Sequence, residues 1–280
     1  MSSDKSQLIY DMPFDEYAAL PYCSQSKLNA LRRSPAHLLV AMQHPSDDKP
    51  AQILGRAIHC LVLEPDLFNS RFAMAPDVDR RLKAGREIYD TFLKDIGSKT
   101  PLSRDDWDTC FHIAESVRGH ETAAKILNGA KTEVSLVWEH PATKVMCKGR
   151  LDALNANLHM IADVKSTLVA HPRGFAKNVW EKGYHRQAAF YLDGAKICGL
   201  DAPYFEIIAV EKSPPYALQI FNLSKEVLAL AKEENDKLLA TYAECLRTDT
   251  WPGYPSEIQE LGLPPWAKSP SLSTEQLEEY

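Results

Sequence analysis

No run in the chain approaches the roughly 18 consecutive apolar residues of a membrane-spanning helix. The opening MSSDKSQLIYDMP has neither the basic nor the apolar stretch of a secretion signal, so a cytoplasmic protein is expected. Six cysteines, Cys23, Cys60, Cys110, Cys147, Cys198 and Cys245, lie far apart without a CxxC pair. Zinc ribbons and clustered iron–sulfur ligation are thereby excluded, and buried thiols in a reducing compartment are expected. A G-x-x-x-x-G-K-[ST] phosphate loop is missing, the nearest string NGAKTE having the wrong spacing, so the chain carries no P-loop ATPase. Dinucleotide loops, nucleophile elbows and H-E-x-x-H pairs are missing too, which argues against a metabolic enzyme. Nor is positive charge in excess: 32 basic against 38 acidic residues leave a net charge of −6. That is the wrong sign for a protein that coats nucleic acid indiscriminately, and any nucleic-acid contact must be local.

What is present is enough for one sizeable core: 280 residues, 45% hydrophobic and 25% charged. No Gly/Ser linker divides it. One domain is expected over about 1–250, with a helical part over about 24–130 and an α/β core over about 131–250. From Trp251 to Tyr280 five glutamates accompany one lysine among prolines, the composition of an acidic, peripheral tail.

In SQSKLNALRRSPAHLL, Ser24 is placed to cap one helix and Ser34-Pro35 to start a second. In AQILGRAIHCLVLEP, Leu54, Ile58 and Leu61 form an apolar stripe, while Ala51, Gly55 and His59 form another edge on which the imidazole is the first functional group. Residues 66–130 read as peripheral helices. The runs TEVSLVWE, KVMCKGRLDALNA and LHMIADVKST then predict a three-stranded antiparallel meander. A long helical stretch from about Pro172 to Gly199 leads to two further strands, PYFEIIAV and YALQIFNL, and to a last amphipathic helix. A helix linking one strand to a later one requires a parallel pairing, so the fold class is α/β with a mixed central sheet flanked by helices.

Strand alternation puts Asp163 and Lys165 of IADVKS on one face, with Ala162 and Val164 on the other. In GRLDAL, Arg150 and Asp152 share a face, and the intervening turn can bring Asp152 beside Asp163. Two carboxylates converging on one face repel each other, and Mg²⁺ or Mn²⁺ relieves that repulsion with oxygen ligands. Glu133, at the start of the first strand, can add a third carboxylate. In the helix that follows, Tyr184, Gln187 and Tyr191 recur at i, i+3 and i+7 beside small Ala188 and Ala195, a polar stripe suited to the wall of an anionic site.

The ordered set of His59 in GRAIH, Glu133, Asp152 in GRLDAL, Asp163 and Lys165 in ADVKS, and Gln187 and Tyr191 in QAAFY resembles the PD-(D/E)XK nuclease superfamily. More narrowly it is similar to the RecB-like branch and to the nuclease domain of exonuclease VIII (RecE). The leading SQSKLNALRRSPAHLL is similar to the N-terminal helical element of that branch, and the resemblance spans about Ser24 to Leu223. Two departures stand out: the second acidic position is Asp163 with no proline before it, and the cysteine cluster of iron–sulfur relatives is missing.

The resemblance implies a restriction-endonuclease-like core in which Asp152 and Asp163 bind Mg²⁺, with Mn²⁺ as an alternative, and Glu133 and His59 complete or orient the shell. It implies that Lys165 positions the attacking water and stabilises developing charge, and that Gln187 and Tyr191 hold the site and phosphate geometry. The activity implied is an ATP-independent exodeoxyribonuclease on linear double-stranded DNA, resecting 5′ to 3′ to leave a single strand for a RecT-like annealing protein. A homotetrameric ring is implied as well. Its basic inner face would draw on Arg32, Arg33, Arg56, Lys148, Arg150, Lys177, Lys182 and Arg186. Two other readings stay open: a single-strand or structure-specific nuclease or the nuclease arm of a helicase complex, and a non-hydrolytic DNA-binding module of the same fold.

Overall fold

Prolines and capping hydroxyls punctuate the helical half of the chain, which the computed structural model describes over residues 6–44 and 48–262. Strand β1 (Gln7–Ile9), helix α1 (Phe14–Ala19) and helix α2 (Gln25–Leu31) come first. Helix α3 (Pro35–Gln43) starts where the Ser34 hydroxyl accepts the His37 amide and Pro35 fills the first turn. Pro50 opens α4 (Pro50–Leu63), and Pro65 both closes it and opens α5 (Pro65–Arg71). Strand β2 (Phe72–Met74), helix α6 (Lys83–Ile96) and strand β3 (Thr100–Leu102) follow, then α7 (Arg104–Gly119), capped by Ser103, and α8 (Glu121–Leu127). The region expected to be wholly helical thus contains a parallel β2–β3 pair. Three-residue strands are too short to show a period of two in sequence.

The meander is as expected: β4 (Lys131–Glu139), β5 (Met146–Asn155) and β6 (Met160–Thr167) pair antiparallel in turn. The crossover α9 (Pro172–Lys182) and α10 (Tyr184–Ile197) then places β7 (Tyr204–Glu211) parallel to β6, and β8 (Leu218–Asn222) returns antiparallel before α11 (Lys225–Thr248). The stretch expected as one continuous helix is broken at Gly183, whose φ of +75° belongs to the left-handed region. A Cβ there would also meet Arg186 at 2.5 Å and Asn29 at 2.8 Å. The main sheet runs β1-β4-β5-β6-β7-β8, with the unforeseen β1 on its edge.

Helices cover both faces. Leu28 of α2, Phe190 of α10 and Leu239 of α11 pack with Trp138, Leu151, Ile161 and Ile207 on one side. Ile58 of α4, Phe68 of α5 and Ile113 of α7 pack with Val164, Ile208 and Val210 on the other. Each such large apolar side chain, fully buried, stabilises the fold by about 1.5–3 kcal/mol. Gly194 of α10 lets Trp138 lie against the helix backbone, where a Cβ would sit 2.8 Å from the indole. The described part of the tail stays attached at first: the Ala36 amide donates to the Pro252 carbonyl at 3.0 Å, and the Tyr254 ring lies 5.5 Å from His37. The rest of the expected tail, from 263 on, lies outside the described residues. Among those described, no helix is long and apolar enough to cross a membrane.

Candidate active site

The site lies where the sheet comes apart. Strands β5 and β6 pair at Asn155↔Met160, Leu154↔Ile161 and Ala153↔Ala162. The next step of that register would set Asp152 opposite Asp163, and there the ladder ends. Asp152 Oδ2 instead accepts the Val164 amide at 2.8 Å, so a side chain stands in for a strand carbonyl. On the other flank, the β4–β5 ladder runs through Thr132↔Ala153 and Val134↔Leu151 and skips Glu133, whose φ is +55°. A non-glycine residue held in that region costs of order 1 kcal/mol, and such strain gathers at functional sites.

The result is a cluster. His59 of α4, Glu133 of β4 and Asp152 of β5 offer ligand atoms that all lie within 4.8 Å of one another. His59 Nδ1 is 3.3 Å from Asp152 Oδ2. Glu133 is aimed by Arg150, whose Nε donates to Glu133 Oε2 at 2.5 Å while Nη1 donates to the Met12 carbonyl and the Ser135 hydroxyl. Beside the cluster, Lys165 Nζ sits 2.5 Å from Asp163 Oδ2, with side-chain exposures of 14% and 2%. Gln187 Nε2 donates to Asp163 Oδ1 at 3.1 Å. Tyr191, buried, lines the same space as Gln187, and the Tyr184 ring lies under the Lys165 ammonium at 4.9 Å. Asp163, Lys165, Gln187 and Tyr191 are thus brought together beside Asp152, His59 and Glu133. Asp163 and Lys165 are largely enclosed between β6 and α10 and do not stand in an open, solvated cleft.

Enclosure shapes the charges. Burial, reinforced by Asp163, holds the Asp152 carboxyl well above the usual carboxylate range. Burial also works against the Lys165 charge, but Asp163 and Asp152 outweigh it and raise the ammonium's pKa. Burial and the neighbouring Lys165 push His59 down, favouring the neutral imidazole. Two carboxylates and a neutral imidazole, one of the carboxyls driven toward protonation by crowding, are a donor set that a divalent cation relieves. His59, Glu133 and Asp152 would hold it. Asp163, expected as a ligand, directs its oxygens to Lys165 and Gln187.

The basic residues proposed to meet phosphate separate into two groups. Lys148 is buried, its ammonium donating to the Tyr17, Ala18 and Leu20 carbonyls at 2.7–3.0 Å, where it closes the end of α1. Arg186 is 1% exposed and bound to Glu234 at 3.1 Å, and Arg150 is committed to Glu133. These three are corrected to structural or positioning roles, since none presents a free charge to a ligand. Arg32, Arg33, Arg56, Lys177 and Lys182 are exposed. Of these, Arg32 lies over the Trp180 ring, Arg56 pairs with Asp48 and Lys177 with Glu181. Sequence reasoning missed Tyr17, whose ring lies 4.8 Å from Lys148 Nζ and 5.7 Å from the Arg150 guanidinium. Nothing in its local sequence marks it, because its partners lie more than 100 residues away.

Residues 24–262 match the family model described as a PDDEXK-like domain of unknown function (DUF3799). The chain belongs to that family. Its mixed sheet flanked by helices is in keeping with a PDDEXK-like domain. A crystal structure from Eubacterium rectale, provisionally named an exonuclease, is similar at 12% identity and a TM-score of 0.56, over 94% of this chain and 99% of that one. At that identity the likeness shows the PDDEXK-like fold alone. The protein SSO0001 is similar at 16% identity over 70% of this chain and 88% of its own, with a TM-score of 0.31. No curated protein matches the chain.

Proposed function

We propose that this PDDEXK-like protein is a divalent-metal-dependent, ATP-independent exodeoxyribonuclease that hydrolyses linear double-stranded DNA from its ends, 5′ to 3′. The observation that carries the reading is the enclosed Asp163–Lys165 pair set against the His59, Glu133 and Asp152 cluster at the split between β5 and β6. When bound, a cation such as Mg²⁺ supplies Lewis acidity, making water nucleophilic near neutral pH and offsetting phosphoryl charge. The chain's own residues do the rest. Lys165, kept protonated by Asp163 and Asp152 and backed by the Tyr184 ring, places a fixed positive charge where negative charge develops on the phosphate. Gln187 and Tyr191 hold Asp163, and through it the ammonium, in one orientation. Arg150 keeps Glu133 turned toward Asp152. End-directed cleavage is supported by the provisional name of the Eubacterium rectale protein, exonuclease. The same reading includes a ring-shaped homotetramer and a strand-annealing partner as further proposals.

Digestion of linear duplex labelled at either 5′ or 3′ ends, with Mg²⁺ and without ATP, tests this directly. Early release of the 5′ label, with closed circles and the Asp163→Ala variant inert, is the expected result. Cleavage of circles would move the protein to a structure-specific nuclease, and inertness on every DNA would overturn the hydrolytic reading.

A further inference from the structure

Beside the catalytic residues runs a groove of about 430 Å³, in the size range of small-ligand sites, reached past Gln187. Tyr17, Tyr184 and Tyr191 contribute to its walls, and Gln25 and Asn29, one turn apart on α2, line the same space. Gln25 is 6% exposed, yet neither atom of its amide has a hydrogen-bond partner among the described residues, and Asn29 Oδ1 lacks one as well. Native proteins pair nearly all buried polar atoms, and each one left unpaired carries a desolvation penalty that a complementary ligand removes. The Asn29 amide nitrogen does donate to the Lys182 carbonyl at 3.4 Å, so one wholly unpartnered amide and one bare amide oxygen on the same wall of one groove point to a ligand.

The chemistry of that wall selects the ligand. Two of the unpartnered atoms, Gln25 Oε1 and Asn29 Oδ1, are acceptors, which a phosphate cannot satisfy and would be repelled by. Of the two lysines in the groove, Lys148 is committed to backbone carbonyls, while Lys182 is exposed with its ammonium 6.0 Å from the Tyr184 ring, placed to meet a nucleotide's phosphate and not the Gln25 wall; the Ser24 and Ser26 hydroxyls bond each other at 2.8 Å. A nucleobase offers what is missing: N–H donors and ring acceptors on one edge, and a π-face for tyrosine rings. In a duplex the pairing edge is already occupied, so the base must be unpaired. Resting on the nuclease reading above, we infer that this groove seats one unpaired nucleobase of the strand being cut, its edge read by Gln25 and Asn29. The enzyme would then act on a nucleotide drawn out of the duplex at its end.

The test is binding of single-stranded oligonucleotides in EDTA, so that none is cut, with 2-aminopurine or an abasic residue placed at each position in turn. One position should change its emission on binding, and removal of that base should weaken binding about tenfold. Gln25→Leu should erase the difference between base-bearing and abasic strands. Should that variant fail to fold by circular dichroism, Asn29→Ala serves in its place, its side chain being less enclosed. Equal binding of abasic strands, preference retained in both variants, or a free deoxynucleoside monophosphate bound as tightly as the strand would each overturn the inference. Base-dependent binding without any Mg²⁺-dependent cleavage would overturn the nuclease reading and leave the groove standing.

Discussion

Replacing Asp163 by leucine removes one partner of an ion pair whose side chains are 2% and 14% exposed and 2.5 Å apart. It also strips Gln187 of its acceptor. An exposed pair contributes about 0–1 kcal/mol, so in a solvated cleft the change would scarcely alter the melting temperature. Enclosed as it is, breaking the pair should cost about 3–5 kcal/mol, because the Lys165 charge stays behind. At about 2–4 °C per kcal/mol for a chain somewhat smaller than this one, that is a fall in Tm of about 6–20 °C. Lys165→Met should behave similarly, leaving the Asp163 and Asp152 carboxylates crowded without their cation. The double variant Asp163→Leu/Lys165→Met replaces both charges with apolar groups of similar size and should recover most of the loss. Calorimetry of the four proteins in EDTA yields the coupling energy directly. All three variants should be inactive on end-labelled DNA. If Asp163→Leu melts within about 1 °C of the parent, or the double variant is no more stable than the singles, the pair is not the buried unit that the site's chemistry requires.

Added Mn²⁺ or Mg²⁺ should raise Tm by several degrees, since a ligand at 100 times its Kd stabilises by about 2.7 kcal/mol; Asp152→Asn should abolish that shift in a thermal-melt titration. Burial lowers the pKa of His185, favouring the neutral imidazole in the folded chain. The unfolded chain takes up that proton near pH 6.5, so this contribution to stability is complete above that pH and is lost as pH falls below it. His185→Gln should flatten the pH dependence of the melting temperature there. Gly194→Ala would push a methyl to 2.8 Å from the Trp138 ring and should destabilise by about 1–3 kcal/mol in urea unfolding, with metal binding unaffected.

What sequence could and could not show divides along the range of the physics. The Asp152–Asp163 juxtaposition was legible because alternation along each strand and one short turn determine it, and both are local. The parallel β6–β7 step was legible for the same reason, since a helix between two strands leaves little choice of connection. Strands β1, β2 and β3 were not, each being three residues long and defined only by its partner. Charge was the least legible property. Lys148, Arg150 and Arg186 read as phosphate contacts, yet each is taken by an acceptor on a distant segment, because the sign of a side chain says nothing of what the fold sets against it. Gln25 and Asn29 lay hidden for the converse reason: an amide draws notice only when the fold encloses it and supplies no partner. Both errors bear on the same chemistry. With Lys148 withdrawn to backbone carbonyls, Lys182 is the lysine of the groove beside Lys165 that stays exposed, and the two amide oxygens left bare on the α2 wall call for N–H donors, which a base has and a phosphate has not.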